Sequence, residues 1–189
     1  PSGLFLGDRA NPAAGTCVTV TVEGRRPLVA EVQALVAPTS SPQPRRVTSG
    51  LDNSRIAMTL AVLERRAGLK LATADCFTAT VGGVRLVEPA TDLAIALAIA
   101  SSARDTALHP GLVAFGEIGL AGDVRPIGSL ERRLSEAARL GFTHAIVPGR
   151  SSRKASAAGP DGMAVIEVSS VAEAIAAAMR VSSQQGPGF

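Results

Sequence analysis

Apolar and polar residues alternate along CVTVTVEGRRPLVAEVQALV on either side of EGRRP. That pattern predicts a hairpin of two strands, residues 17–23 and 27–36. Residues 37–46, APTSSPQPRR, read as a Pro/Ser loop. The period then changes: in LDNSRIAMTLAVLERRAGL, Ile56, Leu60 and Leu63 recur on one helical face, with Asp52 or Asn53 as N-cap and Gly68 as stop. ADCFTATVGGVRLVE is strand-like again and breaks at Gly82–Gly83. An apolar helix follows from Pro89 to Arg104, with the proline at its first position. LVAFGEIGLAGDVRPIG predicts a strand, a tight AGD turn and a return strand. SLERRLSEAARLGF is an amphipathic helix capped by Ser129 and stopped by Gly141. HAIVP and MAVIEV are short, nearly all-apolar strands, and SVAEAIAAAMRV is a closing helix. Residues 1–16 read as a linker in which only Leu4, Phe5 and Leu6 are able to dock, 17–181 as one domain, and 182–189 as a loose tail. The order of elements is that of a mixed α/β (α+β) fold, helices on a sheet, without an internal repeat.

Composition narrows the chemistry. The chain has 189 residues, enough to bury a sizeable core without staples. Its 46% apolar content rests on aliphatic residues, with five Phe and no Trp or Tyr. This disfavours a module that stacks bases on aromatic platforms. Cys17 and Cys76 have neither CxxC nor Cys/His spacing, so no zinc site or disulfide framework is indicated on this chain and a reducing cytoplasm is expected. No stretch is long and apolar enough for a membrane span. The first residue is Pro1, from which a piece of a longer or processed protein is expected. Formal charge is +3, and nearly all the basic residues are Arg, the better fork for phosphate and carboxylate.

Common catalytic patterns are largely missing. VGG (81–83) and GEIGLAG (116–122) give neither GxGxxG before a helix nor GxxxxGK[ST], so no nucleotide loop is indicated. His109 and His144 read as a loop residue and a partly buried strand residue rather than members of a triad. Glu117 and Asp123 read as carboxylates solvating a turn.

GEIGLAGDVRPIGSLERRLSEAARLGFTHAIVP (116–148) resembles the Lon protease proteolytic domain, with its GEI strand, hairpin, PIGG turn, helix and IVP strand. The resemblance implies a Lon-like, ribosomal protein S5 domain 2-like fold. In that family a Ser in a Gly-Pro-Ser-Ala-Gly turn is activated by a Lys at the start of a later helix. Here the turn aligns with Glu88-Pro89-Ala90-Thr91-Asp92, so Ala90 stands at the Ser position; Glu131 stands at the Lys position and Ser129 at the second Gly of PIGG. A methyl group cannot attack a carbonyl, and a carboxylate offers no amine to activate a hydroxyl. Thr91 with Asp92 is the nearest hydroxyl–carboxylate couple, and its other reading is helix capping. The expected geometry has Ala90 and Glu131 near each other at two helix N-termini, with no Lys amine within reach.

PSGLFL (1–6), EGRRPLVAEVQALVAPT (23–39), LAVLERRAGL (60–69), EPATDLAIALAIASS (88–102) and GEIGLAGDVRPI (116–127) resemble one Lon-like branch, the C-terminal domain of the RadA (Sms) family of bacterial repair ATPases. The resemblance implies a cytoplasmic bacterial parent with an upstream zinc finger and a RecA-like ATPase core. Zinc and ATP with Mg would bind there, and no cofactor is expected on this chain. It further implies a DNA-dependent ATPase that processes recombination intermediates by branch migration. Its partners would be single-stranded or branched DNA, other copies in a homo-hexameric ring, and a RecA-type recombinase. On that reading this domain is non-catalytic, joins the ring and contacts DNA. An active Lon-like peptidase with a rearranged nucleophile, and a ring-forming domain without DNA contact, are the alternatives. Phosphate contacts need several cations on one exposed face. The adjacent pairs Arg25–Arg26, Arg45–Arg46, Arg65–Arg66 and Arg132–Arg133 qualify, with the first and third preferred for their place at a hairpin tip and a helix end.

Overall fold

The computed structural model describes residues 11–149 and 157–184. The docking expectation for Leu4, Phe5 and Leu6, and the tail beyond residue 184, lie outside them.

The alternating stretch forms β1 (Thr16–Glu23) and β2 (Arg26–Pro38), paired antiparallel with Glu23 opposite Arg26. Gly24 and Arg25 make the turn, and Gly24 takes φ 61, a left-handed value that glycine adopts without steric cost. β2 runs past its predicted end, and the predicted loop closes on a strand that the hydrophobic pattern did not show, β3 (Arg46–Ser49). It lies parallel to β4 (Ala74–Thr80). Long-range contacts hold it there: the Arg46 guanidinium donates to the carbonyls of Ala74 and Leu71, and the Cys76 N–H donates to the Arg45 carbonyl at 2.9 Å. A four-residue strand fixed by partners distant in sequence leaves no local period to read.

Helix α1 (Asn53–Ala67) is capped by Asp52, whose carboxylate accepts the Arg55 N–H at 2.9 Å, and ends at left-handed Gly68. Ile56, Leu60 and Leu63 are buried, as their spacing predicts. After a 3₁₀ turn over Val81–Gly83 and another over Pro89–Thr91 comes α2 (Asp92–Ala103). Every residue from Asp92 to Ser101 is buried, so this is an interior helix on all sides, with four alanines allowing close approach.

The second half contributes β5 (Leu112–Ala114), the hairpin β6 (Glu117–Ile118) and β7 (Val124–Arg125), and α3 (Leu130–Arg139). It continues with β8 (His144–Pro148), β9 (Ala157–Ala158), β10 (Ala164–Val168) and α4 (Val171–Ser183). α4 continues into the predicted tail, and β1 begins one residue inside the predicted linker. Ser129 precedes α3 as predicted but does not cap it: it is left-handed at φ 59 and its side chain accepts no cap bond.

Eight strands form one sheet in the order β3-β4-β2-β1-β5-β8-β10-β9, while β6 and β7 pair separately. Residues alternate between its two faces. Cys17, Ala30, Val32 and Ala34 face a core shared with α1, α2 and α4. Val18, Val20, Val113, Phe115 and Val147 face a second core built on Leu134 and Ala137 of α3. Helices therefore sit on both faces, the mixed α/β architecture expected from the sequence.

Candidate functional site

The starts of α2 and α3 are brought together beside β1. Glu88 is extended, as a residue before proline must be. Pro89 then opens the turn leading into α2, and Ala90 is 5% exposed. The turn is clamped against the segment before β6: the Gly116 N–H donates to the Ala90 carbonyl at 2.9 Å and the Leu93 N–H to the Gly116 carbonyl at 3.0 Å. Gly116 is required for this closeness, since a Cβ there would lie 2.8 Å from Val124 Cγ1.

From the other side comes Arg133. Its guanidinium donates to Glu88 Oε1 at 2.6 Å and Oε2 at 3.0 Å, to the Val20 carbonyl at 2.6 Å and to the Gly128 carbonyl at 3.0 Å. Glu88 Oε1 also accepts the Val22 N–H at 3.1 Å. Burial disfavours the charged form of Glu88, but Arg133, Thr21 and the Val22 N–H outweigh it and hold its carboxyl below the usual range. Arg133 is 3% exposed, so of the expected surface pair Arg132–Arg133 only Arg132 faces solvent. The adjacency that suggested a surface pair hid a helical fact: neighbouring positions point in directions about 100° apart.

Thr91 and Asp92 do not form a hydroxyl–carboxylate couple. The Thr91 hydroxyl donates to the Glu88 carbonyl at 2.8 Å. The Asp92 carboxylate accepts from Arg55 in a bidentate pair and from the Ile118 N–H at 3.1 Å, tying the starts of α1 and α2 to β6. Burial pushes the Asp92 carboxyl up, against the pull of Arg55 and Ile118. Neither group serves its own helix start by capping its free N–H groups.

Ala90 and Glu131 differ in their surroundings: Ala90 is buried, whereas Glu131 is exposed on the first turn of α3. Among the described residues the one lysine, Lys70, is exposed just beyond the end of α1. Arg55 in the first turn of that helix holds Asp92, so Lys70 lies past the opposite end of α1 from this contact. Lys154 lies outside the described residues.

The candidate arginines separate into two groups. The Arg45 guanidinium donates twice to Asp75 Oδ2, at 2.8 and 3.1 Å, while remaining 70% exposed, and Arg46 is spent on carbonyls. Arg25, Arg26, Arg65 and Arg66 are exposed, and none of them has an ion-pair partner among the described residues. Arg26 lies close enough to Glu136 to help lower its carboxyl, after the larger effect of Arg139. The stem of Arg66 packs on Gly122, where a Cβ would meet Arg66 Cβ at 2.9 Å. In the β6–β7 hairpin Glu117 stands opposite Arg125 rather than Asp123, and Asp123 pairs with Arg125 at 2.8 Å. His109 and His144 meet with ring centroids 4.8 Å apart, a contact no sequence signal indicated. Among the described residues no group of three His, Cys, Asp or Glu could hold a metal, and no helix is long and apolar enough to cross a membrane.

Comparison with known proteins adds to this geometry. A family model described as subunit ChlI of Mg-chelatase matches residues 43–151. The DNA repair protein RadA of Synechocystis sp. is 47% identical over 191 residues, covering 100% of this chain and 37% of that protein. The proteins of the same name from Mycobacterium tuberculosis and Bacillus subtilis are 46% and 45% identical, covering 98% and 93% of the chain and 38% of each relative. The chain thus spans well under half the length of the curated relatives it matches.

Proposed function

Because the chain belongs to the family described as subunit ChlI of Mg-chelatase and is similar along nearly its whole length to bacterial DNA repair proteins, we propose that it is a non-catalytic, ring-forming and DNA-binding module of a larger RadA-type protein. The fold is read as Lon-like. The parent is read as a cytoplasmic DNA-dependent ATPase that acts in branch migration beside a RecA-type recombinase. Its ATP, Mg and zinc would bind in parts outside this chain.

The absence of catalysis is supported by the α2 turn. Ala90 carries no nucleophilic atom, the Thr91 hydroxyl is bound to the Glu88 carbonyl, and the Asp92 and Glu88 carboxylates are each held by a guanidinium. Both carboxylates also accept backbone N–H groups, from Val22 at Glu88 and from Ile118 at Asp92, so each ties neighbouring elements together.

DNA contact is carried by one observation: among the described residues, exposed arginines stand without ion-pair partners at the hairpin tip, on α3 and at the end of α1, namely Arg25, Arg26, Arg132, Arg65 and Arg66. Cations not held in ion pairs can neutralise phosphates, release counterions and supply affinity without reading sequence. The test is titration of labelled single-stranded and branched DNA. Binding at about 50 mM salt that weakens steeply as salt rises supports this function, and no binding at that salt overturns it.

A further inference from the structure

Among the described residues, half of one sheet face has no helix over it. α3 covers β1, β5 and β8 on the side of Val18, Val20 and Val113. Beyond Val29 the same face of β2 continues over β4 and β3, where Leu35 stands opposite Phe77 and Phe77 opposite Val47. Leu35 is 58% and Val47 50% exposed, in a domain whose other strand apolar residues are largely interior. This cross-strand row, with Ala13, Ala14 and Gly15, lines a groove of about 470 Å³.

The rim at Gly15 is firmly set. Its N–H donates to Ser101 Oγ at 2.8 Å and its carbonyl accepts the Ala34 N–H at 2.7 Å. At φ 93, and with a Cβ position only 2.1 Å from the Ala34 carbonyl oxygen, no other residue fits. The chain therefore meets the groove at a fixed point, and residues 1–10 lie four residues upstream of it.

We propose that the groove receives Leu4, Phe5 and Leu6 of the same chain. These three are consecutive and form the one run of large apolar residues ahead of Ala13. The far side of the groove, β3, is three strand spacings from β1, about 14 Å. Residues 7–12 span up to about 20 Å when extended, so the run reaches Val47 and Phe77 without disturbing β1. Seating it would bury the exposed apolar row, which a solvated sheet face leaves uncompensated.

Disulfide trapping in the full chain tests the proposal. Phe5→Cys is combined with Val47→Cys, and in a control with Met58→Cys, an exposed position on α1 over the other face of the sheet. Cys17 and Cys76 stay out of the reaction because both are buried; burial pushes the Cys17 thiol up to about 12 and raises Cys76 as well. An intramolecular 5–47 bridge forming at least about tenfold faster than 5–58 is expected from the high effective concentration of a seated segment. Equal rates, or a 5–47 bridge found only between two chains, overturns it. A second readout avoids cysteines: replacing Leu4, Phe5 and Leu6 by Ser should raise hydroxyl-radical oxidation of Leu35 and Phe77 while buried Phe115 stays constant. Unchanged oxidation at Leu35 and Phe77 also overturns it.

Discussion

Glu88 and Arg133, 45 residues apart in sequence, meet through two charge-assisted hydrogen bonds of 2.6 and 3.0 Å at the point where α2, α3 and β1 converge. The guanidinium is 4% exposed and the carboxylate 24%, so each leaves the other poorly hydrated if removed. Glu88→Ala should therefore cost about 2–3 kcal/mol by stranding a buried cation, and Arg133→Met should cost less than Glu88→Ala because it leaves a group that can protonate. Urea unfolding of the two single variants and the double variant checks this. The double variant should be more stable than the sum of the two losses implies.

The same pair predicts an acid limb in stability. Glu88 in the folded chain lies below the usual carboxylate range, so the unfolded chain binds the proton more readily. Its stabilising effect is fully present above about pH 5 and is lost as pH falls through the folded value. Wild type and Glu88→Gln should accordingly differ most in stability near neutral pH and converge in acid. A gap that stays constant from pH 7 to pH 3 would contradict the assigned direction.

Ser129 sits at φ 59 and ψ 31 without making a cap bond. The left-handed region costs a residue with a Cβ about 1–2 kcal/mol, most for branched side chains. Ser129→Gly should leave the thermal midpoint unchanged or raise it, while Ser129→Val should lower stability by about 1–2 kcal/mol. A true side-chain cap would give the opposite result for glycine, a measurable loss.

Much of this was legible before any coordinates. Alternation on either side of EGRRP within residues 17–36 predicts the hairpin, and Asp52, Gly68 and the Ile56, Leu60, Leu63 face predict α1, because these signals are local and repeat. β3 escaped because its position depends on Arg46 reaching carbonyls of Leu71 and Ala74, which no window of neighbouring residues contains. The site followed the same division. The α2 turn and the α3 start were found from their order along the chain, but Arg133, Glu88 and Arg55, the side chains that lock them, were not. Arg133 was grouped with Arg132 as a surface pair, and Arg55 carried no signal beyond its place on α1; only a three-dimensional contact distinguishes them. Hairpin-tip and helix-end positions favour Arg25–Arg26 and Arg65–Arg66 in the sequence, but no local signal shows that Arg45 faces Asp75 and Arg46 the backbone, whereas Arg65 and Arg66 face solvent.

The occupied turn predicts chemical silence. A serine-reactive phosphonate should not label the chain, and casein should remain intact. Ala90→Ser should not give cleavage, since the hydroxyl would arrive at a buried position while Lys70 lies past the far end of α1 from the Arg55–Asp92 contact. Labelling that disappears in Thr91→Ala would show that the Thr91 hydroxyl escapes its Glu88 carbonyl and acts as a nucleophile.

The central claim, that exposed arginines of this domain bind nucleic acid, is tested most directly by DNA affinity across a salt series for the chain and for Arg26→Ala and Arg65→Ala. Each replacement should weaken binding at every sequence and reduce the slope of log affinity against log salt by about 1. Affinity and slope unchanged in both variants, or binding indifferent to salt in the unaltered chain, would contradict it.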